Sequence, residues 1–168
     1  MKNLLIPGII TLFLAVLIFL ISYDKDTESL IKGDLPEVEI LLPDSTTRYR
    51  VSETKGKRPV VLLFFSTTCD HCQSFAREML KNQEKLKEFD LFMASTESLS
   101  LIKKFRNEYS LFELKNLVIG KDVFSAGIRT FHFESYPFSS IYNKQHKFIR
   151  SFEREFTVDD VISGINKE

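Results

Sequence analysis

Both cysteines of the 168-residue chain fall in one stretch, FSTTCDHCQSF (65–75), three positions apart with Asp70 and His71 between them. Residues of these types at this spacing can do three things. As thiols one helical turn apart, Cys69 and Cys72 can trade electrons as dithiol and disulfide. With His71 they supply three competent ligands for zinc or copper, although adjacent His71 and Cys72 seldom converge on one ion and only His132 and His146 remain to complete the set. As small apolar side chains they can simply fill a core.

The elements around the pair decide among these readings. VVLLFF (60–65) is six consecutive apolar residues, β-branched at the start, which predicts a central strand buried on both faces of a mostly parallel sheet. From Cys69 to about Phe89 the apolar positions Phe75, Met79, Leu80, Leu86 and Phe89 have helical spacing. The pair therefore opens a helix directly after a strand. There Cys69 meets unpaired backbone N–H groups and the positive end of the helix dipole, which favour a thiolate. Cys69 is the expected nucleophile and Cys72 the partner that resolves a mixed disulfide. A cationic or hydrogen-bonding His71 would stabilise the thiolate and make the pair more oxidising, while Asp70 opposes it by like-charge repulsion.

The rest of the domain alternates strands and helices. Strands are expected at 36–42 and 46–52 around a Pro43-Asp44-Ser45 turn, then at 90–95 and 116–120, with a hairpin of 138–143 and 147–152. Helices are expected at 99–110, capped by Ser98, at 122–131, and at 158–166, where Thr157 and Asp160 form a capping box. This is a small α/β sandwich.

Composition fits one domain behind a membrane segment. The chain is 43% apolar with 16 Phe and no Trp, enough for one core. Lys plus Arg (23) equals Asp plus Glu (23), which argues against an electrostatically driven nucleic-acid binder. Leu4 to Ile21, LLIPGIITLFLAVLIFLI, carries no charge and as a helix would be roughly 27 Å long, close to the thickness of a bilayer core. Lys2 precedes it, while Asp24, Asp26 and Glu28 follow, so the bulk of the chain is expected on the extracytoplasmic side. No A-x-A-like site ends the span, which favours an uncleaved anchor over a cleaved signal sequence. The expected organisation is an anchor at 1–23, a tether at 24–35 and a domain at 36–168. An exported domain lies where disulfides persist.

VVLLFFSTTCDHCQSF, a hydrophobic strand running into Cys-x-x-Cys at a helix start, resembles the thioredoxin superfamily. The strand pair before KGKRPVV and the late hairpin resemble its TlpA-like, membrane-anchored extracytoplasmic thiol-disulfide oxidoreductases, over roughly residues 35–166. The resemblance implies a thioredoxin-like three-layer sandwich with an N-terminal strand pair, preceded by one transmembrane helix. It also implies a cis-proline opposite the cysteines, a place matched by Pro137 in Ser135-Tyr136-Pro137, with Tyr136 beside the substrate groove. The chain departs from the family pattern as well. Thr68 stands where Trp is common, and Asp70-His71 where Gly-Pro or Glu-Pro is common. The two places for a proton-accepting acid are Leu63 and Phe75, leaving Glu78 as a substitute or a plain surface acid.

On this reading Cys69, Cys72 and Pro137 carry thiol-disulfide exchange and Asp70 and His71 tune it, in a protein more reductase than oxidase. No cofactor or metal is called for beyond the Cys69–Cys72 disulfide. The expected partners are cysteine-containing exported proteins and a membrane-embedded thiol electron donor. Two alternatives remain. One is an extracytoplasmic copper- or zinc-binding thioredoxin-like protein. The other is a peroxiredoxin-like thiol peroxidase using Ser66, Cys69 and Arg129. Phe131, Phe133, Tyr136 and Phe138 either line an apolar groove beside the site or pack in the core.

Overall fold

A computed structural model of the protein describes residues 34–165, together with Phe13 and Leu14. The chain separates into Met1–Lys32 and Gly33–Glu168, and every strand and helix named below lies in the second unit. The expected span at 4–21 lies outside the described residues apart from Phe13 and Leu14. Among the described residues no helix is long and apolar enough to cross a membrane.

Seven strands form one sheet: β1 (Glu39–Leu41), β2 (Arg48–Arg50), β3 (Val60–Phe64), β4 (Asp90–Ser95), β5 (Leu117–Asp122), β6 (Phe138–Tyr142) and β7 (Phe148–Glu153), in the order β2-β1-β5-β4-β3-β6-β7. The central β5-β4-β3 block is parallel, and the flanking strands pair antiparallel. Every residue of β3 and β4 is buried, as the apolar runs at 60–64 and 91–94 require.

Among the described residues five α-helices accompany the sheet: α1 (Asp70–Lys81), α2 (Gln83–Leu86), α3 (Leu99–Glu108), α4 (Ala126–Phe131) and α5 (Val158–Ile165). Val61 and Leu63 of β3 share one core with Cys72, Phe75 and Met79 of α1, Ile102 and Phe105 of α3, and Val158 and Val161 of α5. Phe64 points to the other face, where its ring lies 5.7 Å from Phe131 and 5.5 Å from Phe133. Gly127 allows α4 to settle on that ring, since a Cβ there would lie 2.1 Å from Phe64 Cε1. The sheet is thus covered on both faces, which makes the three layers. Phe131, Phe133 and Phe138 are buried in this packing, so these three members of the aromatic cluster are core rather than groove.

Several elements differ from the sequence expectation: β1 and β2 are shorter than the strands expected at 36–42 and 46–52, and Val51–Glu53 after β2 is a 3-10 turn. The long helix expected over 69–89 breaks at Asn82, whose side-chain amide donates to the Glu78 carbonyl at 3.0 Å and satisfies an acceptor at the helix end. The segment expected as helix from 122 continues β5 through Asp122 instead. That buried carboxylate accepts from the N–H groups of Ala126 and Gly127, each at 2.9 Å, and starts α4 four residues later than expected. The Thr157–Asp160 capping box and the Ser98 cap both form.

Candidate active site

The carboxyl ends of β3 and β4 lie side by side because the two strands are parallel and in register from Val60–Asp90 to Phe64–Ala94. The chain leaves β3 through Ser66-Thr67-Thr68 and enters α1 with Cys69 as its N-cap residue. The Cys69 sulfur accepts from the Cys72 N–H at 3.4 Å, so one free donor of the first helical turn is spent on it. The same sulfur lies 3.5 Å from the Tyr136 carbonyl oxygen, to which the thiol can donate. Cys69 is half-buried while Cys72 is only 1% exposed, and both are free thiols. Burial pushes the Cys72 thiol far up from its ordinary range. The hydrogen bond and charge of Cys69 and the charge of Glu97 add to the rise, and the Ser66 backbone opposes it in part. The two sulfurs are therefore unlike: one reachable at a helix start, the other sealed and held as a neutral thiol.

The opposing wall is the loop before β6, where the Tyr136–Pro137 peptide bond is cis. This loop is tied down from β7. Glu153 Oε1 accepts from the N–H groups of Glu134 and Ser135 at 2.8 and 2.6 Å, and the Arg154 N–H donates to the Pro137 carbonyl at 2.8 Å. Tyr136 is half-buried with its ring edge on Phe133, and burial raises its hydroxyl above the ordinary tyrosine range.

The remaining expected residues are more dispersed. Asp70 and His71 are exposed on the first turn of α1. His71 borders a cavity of about 370 Å³ with Phe75, Glu78, Arg154 and Phe156. Glu78 is half-buried rather than a plain surface acid, and its Oε2 accepts from the Val158 N–H at 3.2 Å and caps α5. Leu63 and Phe75 are both buried in the core, at 2% and 4% exposure. His132 ends α4, and His146 sits in the β6–β7 turn. Among the described residues no group of three or more His, Cys, Asp or Glu side chains is placed to hold a metal ion.

One residue of the site escaped the sequence reading. Glu97, just beyond β4, accepts from the Ser66 hydroxyl at 2.7 Å, from the Thr67 N–H at 3.1 Å and from the Thr67 hydroxyl. Its own N–H donates to Ser95 Oγ at 3.3 Å. It thus fastens the turn that delivers Cys69. The signal available in sequence was an acid just past a buried strand parallel to the cysteine-bearing strand, the end at which α/β sheets place their chemistry.

A family model described as AhpC/TSA family matches residues 31–160. The chain belongs to the AhpC/TSA family. No curated protein matches the sequence. Solved structures share the fold at low identity. A secreted Mycobacterium tuberculosis disulfide oxidoreductase homologous to E. coli DsbE is 12% identical with a TM-score of 0.63, covering 77% of this chain and 95% of its own. The exposed lipoprotein thioredoxin Etrx1 of Streptococcus pneumoniae is 19% identical with a TM-score of 0.60, covering 81% and 100%. Peroxidoxin BcpB of Mycobacterium tuberculosis is 14% identical with a TM-score of 0.65, covering 80% and 96%. The fold is thioredoxin-like, and family and fold together make the AhpC/TSA member a redox enzyme of the thiol kind.

Proposed function

We propose that the protein is a TlpA-like thiol-disulfide oxidoreductase, anchored through residues 4–21 and acting on exported proteins through the Cys69–Cys72 pair. The observation that carries this reading is the asymmetry of the two sulfurs. Cys69 caps α1, half-buried and facing the Tyr136 carbonyl, while Cys72 is sealed one turn behind it. In the reducing direction the Cys69 thiolate attacks a substrate disulfide, forming a mixed disulfide and releasing one substrate thiolate. Cys72 then loses its proton and attacks Cys69 Sγ, forming the Cys69–Cys72 disulfide and releasing the second substrate thiolate. Two electrons pass to the substrate, and a membrane-embedded thiol donor restores the dithiol. No organic cofactor or metal takes part in these steps. Pro137 and Tyr136 wall the place where a substrate backbone would lie, and Asp70 and His71 adjust the potential from the rim.

The reading is tested by equilibration of the purified full chain with glutathione. A potential below about −230 mV supports a reductase, and one near −120 mV makes it an oxidase instead. If a Cys69→Ser variant exchanges disulfides as fast as the parent, the reading falls altogether.

The family match and the fold shared with a peroxidoxin favour a second reading, thiol peroxidase. Ser66 stands three residues before Cys69, where such chemistry would want a hydroxyl, yet this hydroxyl donates to Glu97 at 2.7 Å. Arg129, its cation, is an exposed residue of α4. Hydrogen peroxide consumption faster than that of a free thiol would establish peroxidase activity.

A further inference from the structure

The exchange reaction leaves one proton without a destination. When Cys72 resolves the mixed disulfide on Cys69 it must lose its proton first, since the thiolate is the nucleophile. Yet it is 1% exposed and packed in the core, where solvent has poor access. The carboxylates of this end of the sheet can be taken in turn. Glu78 is spent on α5 and Asp122 on α4. Glu153 holds the loop before Pro137. Asp70 is exposed on the first turn of α1, and Glu97 differs from all of these in turning its oxygens to the Ser66-Thr67 turn that leads into Cys69.

We propose that Glu97 accepts the proton Cys72 releases in the resolving step, acting through the Ser66 turn. Ser66 stands between the two groups: its hydroxyl donates to Glu97 at 2.7 Å, its carbonyl accepts from the Cys69 N–H at 3.3 Å, and the Cys69 sulfur accepts from the Cys72 N–H at 3.4 Å. Among the described residues no Lys, Arg or His forms an ion pair with Glu97, and its partners are neutral hydroxyls and N–H groups. Its charge is accordingly left to act on its neighbours and is felt at Cys72 and at Tyr136. Other titratable groups face the same spot. Cys69 caps α1, and Asp122 at the end of β5 acts on Tyr136. Lys104 and Glu108 of α3 border the cavity of about 370 Å³ beside Thr67. In the step itself the Cys72 S–H bond breaks and its proton passes to the Ser66 hydroxyl, whose own proton moves along its hydrogen bond to Glu97. The Cys72 thiolate forms a bond to Cys69 Sγ, the bond from Cys69 to the substrate sulfur breaks, and Glu97 later returns the proton to solvent.

This proposal rests on the thiol-disulfide reading, and 5,5′-dithiobis(2-nitrobenzoate) separates the two. With the reduced full chain in detergent, the first nitrothiobenzoate released reports attack by Cys69. The second reports resolution by Cys72. Glu97→Gln is expected to leave the first release nearly intact and to slow the second about a hundredfold at pH 7, with the deficit shrinking as pH rises and hydroxide replaces the lost base. Glu97→Asp should recover part of the rate. A merely structural clamp would lower the melting temperature without tilting the pH profile of the second release. If the second release in Glu97→Gln is unchanged or faster, Glu97 is not the acceptor, although the exchange reading survives. If a Cys72→Ser variant gives the second release at the parent rate, the exchange reading itself fails.

Discussion

Strand β4 has an acid at each end, and the two are used in opposite ways. Asp90 opens the strand, nearly buried, paired with the guanidinium of Arg58, which also donates to the Lys87 carbonyl at 3.0 Å. Glu97 lies beyond the other end and is met by hydroxyls and an N–H. A buried carboxylate matched by a cation is neutralised where it stands and serves the fold. A half-buried carboxylate held by neutral donors, as Glu97 is, keeps its charge available to nearby groups. The proposed chemistry belongs to the second end, where both parallel strands finish and α1 begins.

The largest effect that could break this contrast is at the cysteines. Cys69→Ser is expected to lower disulfide exchange by at least about a thousandfold with little change in melting temperature, because a hydroxyl offers no comparable nucleophile at neutral pH. At the opposite end, Arg58→Met should leave exchange within about twofold and lower stability by about 1–3 kcal/mol in urea denaturation, since Asp90 loses its partner. Exchange lost in Arg58→Met would show that the two ends are not separable.

Next in size is the cap at the end of β5. Asp122 is another buried acid met only by N–H groups, yet its partners are the first turn of α4 rather than the cysteine turn. If partner identity decides the role, Asp122→Ala should cost about 1–2 kcal/mol of stability, as for a lost helix cap, and spare the second nitrothiobenzoate release. A slowed second release with intact melting would move the proton acceptor from Glu97 to Asp122.

How much of this was legible in the sequence follows from the range of each interaction. The β3 run, the cysteine pair at a helix start, the Ser98 cap and the Thr157–Asp160 box are set by residues within a few positions of each other. Each has the place expected of it. Tyr136–Pro137 was placed by resemblance alone, since nothing local to it says what it faces. Glu97 is 31 residues from Ser66 and Glu78 is 80 from Val158, and no local pattern carries such pairings. Asp122 misled for a related reason: Asp122-Val123-Phe124 reads as a helix start, but the carboxylate belongs to the strand and caps the helix from four residues away. Phe131, Phe133 and Phe138 could be core or groove until Gly127 brought α4 onto Phe64.

The smallest effect is a slope with pH, and it separates the sealed sulfur from everything at the Asp90 end. Burial raises the Cys72 thiol well above the range of about 8.5 that an unfolded cysteine has. Below that range the thiol is protonated in both states and contributes no pH dependence. Above it the unfolded chain gives up the proton while the folded, reduced protein keeps it, so the native state binds more protons and stability falls as pH rises. The expected loss is about 1.4 kcal/mol per pH unit from about pH 9 upward, read from urea midpoints of the reduced protein between pH 7 and 10.5. Cys72→Ala should remove that component, and so should oxidation to the Cys69–Cys72 disulfide, which leaves no thiol to titrate. The same slope in all three forms would mean that Cys72 is not the group responsible, and the contrast between a sealed and a reachable sulfur would lose its thermodynamic support.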